Sequence, residues 1–315
     1  MGLYPKHLEE YAAFMGVPRG PKSKWFIVDA VHGDDGNEGN SFAKPLATVT
    51  EAETRTTTEH HDCVFLVASD TSDQPTVSIA WDHHMTHLVG IGPLFNGRGC
   101  RSQIVGTATN GIGVEGVIDF SGRGCLVKNI QVQNAKAATS GGVIVSGPYN
   151  VFENCYFNGM NDSTAGAAAT AFCLKLTGAE NYFRNCTIGS CQTIRASTNA
   201  ALVISTGANT WEDCLIQGYS QTAGNFLVCL TAGTAGMSLL HFKNCLFYCQ
   251  TVAWAAGMTD VFNIAQTGSH YVMLENCNAI GGTGAGISWA DVVTHVYHNQ
   301  AAPATGGGIG IAVNA

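Results

Sequence analysis

The residues best suited to chemistry in this 315-residue chain sit in one recurring motif. Cys155, Cys186, Cys214, Cys245 and Cys277 each follow directly on Asn154, Asn185, Asp213, Asn244 or Asn276, as in Phe152-Glu153-Asn154-Cys155. A thiol beside an amide or acid is raw material for a nucleophile or a metal thiolate. The spacing favours neither. A Cys-x2-Cys pair is a common mark of a zinc site, and the chain has none. A disulfide framework fits poorly as well, because side chains stacked in parallel about 4.8 Å apart lack the geometry of a bridge. The expectation is a column of reduced, buried thiols acting as small hydrophobes.

Two further clusters invite a metal. His83, His84 and His87 would share a face on a helix, but their segment reads as strand and turn, which makes them polar turn residues. The run from His32 to Asn40 alternates acids with Gly yet lacks the Asp-x-Asp-x-Asp-Gly spacing of a calcium loop. No metal and no cofactor is expected.

What these residues do depends on the elements that place them. The motif first occurs without Cys as Leu126-Val127-Lys128-Asn129-Ile130, and its Asn/Asp positions 129, 154, 185, 213, 244 and 276 are 25, 31, 28, 31 and 32 residues apart. Self-similarity at such a period, carried by short strand-like segments, points to an all-β solenoid, a parallel β-helix. Each coil has a readable order. A first strand (Val143-Ile144-Val145, Leu174-Lys175-Leu176, Leu202-Val203-Ile204) ends in Ser146-Gly147, Thr177-Gly178 or Thr206-Gly207, where Gly supplies a positive φ. A second strand carries Asn150, Asn181 or Asn209 and then Phe152, Phe183 or Trp211. Asn129 and its successors make the next bend, since Asn tolerates the left-handed conformation, and their side chains can hydrogen-bond along the column. A third strand sends Cys and the residue two further on (Phe157, Ile188, Ile216, Phe247) inward by period-two alternation.

The residue before the bend alternates in sign: Lys128, Glu153, Arg184, Glu212, Lys243, Glu275. Stacked at about 4.8 Å, each charge gains an opposite neighbour above and below. A slip by one coil would set like charges together, so the column is expected to specify register.

Glycoside hydrolysis needs two carboxyl groups about 5–9.5 Å apart. The outward first-strand positions read as Ile144, Lys175, Ile204, Cys229 and Asn263, none of them acidic. Asp162, Glu180, Asp260 and Asp291 are scattered, and Asp70, Asp73 and Asp82 lie in early coils. No catalytic residue is assigned, and the chain is expected not to be an enzyme. Ile144 and Ile204 instead make an outward apolar stripe suited to a partner.

The net charge of −8 argues against nucleic-acid binding through a general positive field. No run of 18 apolar residues suggests a membrane span, and the N-terminus lacks the apolar core of a secretory signal. A soluble protein made in the cytosol is expected. Four segments follow: an N-terminal helical arm and linker (1–24), a cap (25–60), the β-helix (61–290) and a tail (291–315) that caps the last coil or exchanges between subunits. In the arm, Leu3, Tyr4, Leu8, Tyr11 and Phe14 are candidates for docking on a partner.

A resemblance adds to this. Trp25 to Ala30, the turn Gly33-Asp34-Asp35-Gly36, Lys44-Pro45-Leu46-Ala47-Thr48-Val49 and Val89-Gly90-Ile91-Gly92 resemble the entry to right-handed, single-stranded parallel β-helices of the pectate-lyase-like superfamily. That implies a capping helix from about Val49 to Thr58. Over about residues 25–290 the chain is similar to bacteriophage virion β-helix proteins, which are commonly homotrimers. The resemblance implies a virion protein made in the host cytoplasm, with copies of itself and the major capsid protein or another virion protein as partners. Its short arm suits a non-enzymatic capsid decoration protein. The alternatives are a tailspike-like protein that binds or cleaves host surface polysaccharide, and a host-surface adhesin without catalysis.

Overall fold

The computed structural model describes residues 5–92, 102–107, 112, 115–136, 141–195, 199–205, 207–221, 226–231, 238–251, 258, 260–264, 270–281, 287–290 and 296–298. Its strands form three parallel sheets, each joined by equivalent strands of successive coils. The first sheet runs from Ile79–Trp81 to Ser288–Ala290, the second from Trp25–Val28 to Val296–His298, and the third from Ser102–Gly106 to Asn278–Gly281. Register is kept coil by coil: Phe152 pairs with Phe183, Phe183 with Trp211, and Trp211 with Phe242. The chain is an all-β parallel β-helix. Among the described residues no helix is long and apolar enough to cross a membrane.

Inward residues of the three sheets make one continuous core. Phe152, Phe183, Trp211 and Phe242 stack face to face with centroid separations of 4.7, 5.5 and 4.4 Å. Such stacks add about 0.5–1.5 kcal/mol per pair to what area burial contributes. At the corner between first and second strands, Asn150, Asn181 and Asn209 are buried. The Oδ1 of Asn150 accepts from Cys125 N at 2.8 Å, that of Asn181 from Asn150 N, and that of Asn209 from Asn181 N, both at 2.9 Å. These inward amides satisfy corner N–H groups that no strand neighbour reaches, and the series ends where Leu240 takes the equivalent position.

At the same corner Gly serves a purpose other than the expected one. Of Gly147, Gly178 and Gly207, only Gly207 has a positive φ, +95°. A Cβ on Gly147 would meet Gly122 O at 2.0 Å, and one on Gly178 would meet Gly147 O at 2.3 Å. Successive coils touch backbone to backbone there. The left-handed residues are instead Tyr149 and Glu180, with φ of 62° and 57°.

A helix, Val49–Arg55, closes the open end of the first coils, with Val49 and Ala52 fully buried in the core. Thr48 caps it by accepting from Glu51 N. Asp35 accepts from Ala47 N and Thr48 N, and Arg55 returns two bonds to the carbonyls of Asp35 and Asn37. The Gly-Asp-Asp-Gly turn is thus a clamp on the cap.

The arm carries a helix, Pro5–Phe14, and lies on the second sheet of its own chain. Ala12, Met15 and Val17 are buried against Ile27, Phe65, Val89 and Leu126. Tyr11, expected to serve a partner, packs on Phe65 with ring centroids 6.1 Å apart. The correction has a simple cause: outward residues of the first coils in this sheet are apolar and need a cover. Phe14 alone of the candidates with a described side chain is free, at 83% exposure. Leu3 and Tyr4 lie outside the described residues, as do residues 299–315 of the tail.

Candidate functional site: a groove on the third sheet

Outward residues of the third sheet line up as Gln131, Tyr156, Thr187, Leu215 and Leu246. On one side stand the bend residues Asn185, Asp213 and Asn244, and on the other the turn Ser190-Cys191-Gln192 with Gln217. Together they enclose a groove of about 450 Å³. Among the described residues its lining is amide, hydroxyl, thiol, aromatic and aliphatic, with Asp213 the single carboxylate and no cation.

The turn on the far wall is held by a buried arginine. Arg195 follows it on a short strand, Ile194–Arg195, that pairs with Tyr219 and Ser220. Its Nε donates to Asn199 Oδ1 at 2.7 Å and a terminal nitrogen donates to Phe226 O at 2.5 Å, which ties the loop to the next coil. Burial lowers its pKa to about 10, so the guanidinium remains charged at neutral pH. Gly218 leaves room for it: a Cβ there would sit 2.5 Å from Arg195 Nη1. Nothing in the sequence announces Arg195, a single cation in a loop of variable length.

The recurring motif supplies the groove's other wall. The six bend residues Asn129, Asn154, Asn185, Asp213, Asn244 and Asn276 have φ between 51° and 59°. Asn154 Nδ2 donates to Asn129 Oδ1 at 2.8 Å, and Asn244 Nδ2 to Asp213 Oδ1 at 3.1 Å. Asp213, a carboxylate, has no N–H to pass on to Asn185. Cys155, Cys186, Cys214, Cys245 and Cys277 are buried and unbridged, each directing Sγ to a carbonyl at 3.2–3.5 Å. Burial pushes the Cys186 thiol well up, which disfavours the nucleophilic thiolate. Cys191, half-buried at the groove edge, is likewise pushed up to about 11 by burial.

Lys128, Glu153, Arg184, Glu212, Lys243 and Glu275 pair coil by coil on the outer face of the second sheet. Lys128 Nζ lies 2.8 Å from Glu153 Oε2, Arg184 contacts the same carboxylate, and Lys243 Nζ lies 3.1 Å from Glu212 Oε1.

The outer face of the first sheet needs two corrections. Its outward column is Asp119, Ile144, Lys175, Val203, Cys229 and Asn263. Ile204 points inward and is fully buried, paired with Leu176 and Leu230; a displacement of one residue exchanges the faces of a strand. Asp119 is an outward acid that the sequence reading missed, and it accepts from Ser146 Oγ at 2.8 Å. A second cavity, on this sheet, is lined by Phe172, Lys175, Val203 and Cys229 among others, with no carboxylate among the described residues.

Two acids of the early coils, Asp62 and Asp73, are structural. Asp62 accepts from Lys24 N and Thr57 N, and Asp73 accepts from Val49 N of the capping helix. Of the histidines, His87 is buried in its strand rather than placed in a turn, with Leu126 N donating to Nδ1 and His61 facing Nε2.

The sequence matches no protein-family profile and no curated protein sequence. Solved structures do match. A pectin methylesterase from carrot superposes with a TM-score of 0.54 at 14% identity, covering 88% of each chain. The Escherichia coli protein ybhc gives 0.50 at 12% identity over 88% of this chain and 76% of its own. Tailspike protein 2 of the Escherichia coli O157:H7 bacteriophage CAB120 gives 0.43 at 9% identity, over 73% of this chain and 32% of its own. At these identities the likeness defines the fold alone, a parallel β-helix.

Proposed function

We propose that this protein is a non-enzymatic, glycan-binding β-helix of a phage virion, and that it holds a neutral host-surface glycan in the groove of the third sheet. The observation that carries the reading is the lining. Amides from Gln192, Gln217, Asn185 and Asn244, the hydroxyl of Thr187 and the ring of Tyr156 offer hydrogen bonds and a stacking face without fixed positive charge. Among the described residues of the lining, hydrolysis by two carboxyl groups has one candidate, Asp213. Titration with neutral and with uronate-containing oligosaccharides of the same length tests this. The neutral series binds, Tyr156→Ala weakens it about tenfold or more, and preference for the acidic series contradicts the proposal.

A second reading, attachment to a major capsid protein, draws on Phe14 and Tyr149. They are 83% and 56% exposed and line one shallow cavity where the arm meets the second sheet. Exposed aromatics at an element junction suit a protein partner. Loss of capsid binding in a Phe14→Ser, Tyr149→Ser variant that keeps its melting temperature supports this attachment; unchanged binding excludes it.

A further inference from the structure

We propose that Glu53, Asp82 and His83 form a divalent-cation site of zinc type that ties the capping helix to the first sheet. Glu53 projects from the last turn of the helix Val49–Arg55, while Asp82 and His83 follow directly on the strand Ile79–Trp81. One ligand atom from each lies within 4.8 Å of the other two. Two carboxylate oxygens and one imidazole nitrogen are a donor set that zinc accepts, leaving a fourth position open to water.

Glu53 makes this more than a surface cluster. Its side chain is 9% exposed. The N–H groups of Asp82 and His83 face its carboxylate, yet Oε1 has no hydrogen-bond donor. A buried carboxylate oxygen left without a donor is costly, and a cation offsets that cost. The orphaned oxygen lies 3.1 Å from His83 Nδ1, close to the ~3.4 Å ligand–ligand edge of a tetrahedral site with bonds near 2.1 Å. Asp82, with a side chain 63% exposed, is free to swing into the third position. Thr56 Oγ1 lies 2.8 Å from the same Nδ1 and also donates to Glu53 O. Metal binding replaces the first of these contacts, and the imidazole proton moves to Nε2 or to solvent.

The site would fasten the helix Val49–Arg55, which covers the core at the open end of the stack. It stands apart from the glycan groove, so either proposal can fail alone. The test is thermal unfolding and visible spectroscopy of the full-length protein with Zn²⁺, Co²⁺ or Ca²⁺ after chelator treatment. Zn²⁺ at a hundredfold excess over its Kd is expected to raise Tm by about 4 °C. Ca²⁺, which prefers six or more oxygen ligands, leaves Tm unchanged. Co²⁺ gives a d–d band at one equivalent without the near-ultraviolet band of thiolate ligation. His83→Ala and the exposed variant Asp82→Asn, each with unliganded Tm within about 2 °C of the parent, lose both responses. Equal Tm shifts in parent and variants, a thiolate band, or no response in the parent would each overturn the assignment.

Discussion

Glu153 is the point at which the charge column can be tested without touching the core. Its side chain is 16% exposed and contacts two cations, Lys128 one coil before and Arg184 one coil after. Glu153→Gln keeps the shape and removes both attractions. Exposed ion pairs contribute about 0.2–1 kcal/mol each and better-shielded ones more, so the cost is about 1–2 kcal/mol. Glu153→Lys also places three cations in adjacent coils, and repulsions of similar size bring the cost to about 2–4 kcal/mol. Urea is the denaturant of choice because it does not screen charge; Trp211 lies in the coil next to that of Arg184 and offers a fluorescence signal. In 1 M NaCl, where the screening length is about 3 Å, the Gln–Lys difference should shrink by half or more. If both substitutions cost under about 0.5 kcal/mol, or if the difference ignores salt, the column contributes nothing to register.

Three other outcomes are expected. Trp211→Ala opens a cavity between Phe183 and Phe242 and should cost about 3–5 kcal/mol by urea unfolding, whereas Trp211→Phe, which keeps the stack, should cost well under half of that. His87 has its pKa lowered to about 3, chiefly by burial and then by His61, so the native state binds fewer protons there than the unfolded one. Its contribution is therefore complete above about pH 6.5 and is lost as pH falls toward 3, with an upper size of about 4–5 kcal/mol. Asp73, raised to about 6 mainly by burial, acts with the opposite sign between about pH 4 and 6. Comparing the parent with His87→Gln isolates the histidine, and the variant should show a flatter loss of stability from pH 7 to 4. Arg195→Met should loosen the Ser190–Gln192 turn, raising amide exchange there and weakening glycan binding while the coils above and below stay protected.

The repeat was legible because it is local in sequence. Asn154, Cys155 and Glu153 recur with a near-constant period, and period, bend preference and strand alternation agree on one register. Failures came where a residue's role depends on another coil. Ile204 and Val203 both read as apolar, and only pairing with Lys175 identifies Val203 as outward. Tyr11 was assigned to a partner because the apolar surface under it comes from Phe65 and Val89. Gly147 looked like a turn glycine, whereas contact with Gly122 in the coil below requires it. Arg195 and the Glu53, Asp82, His83 trio belong to no repeat, so no spacing announces them. The groove was hidden for a related reason: each coil contributes one or two side chains, and only stacking makes a surface of them.

The central claim is that the third-sheet groove binds glycan and does not cleave it. Incubating purified protein with host capsular polysaccharide or lipopolysaccharide tests both halves in one sample. Retention on the glycan that Tyr156→Ala abolishes, with no new reducing ends and no unsaturated uronate, is the predicted result. Release of oligosaccharide, or retention that persists in Tyr156→Ala, would contradict it.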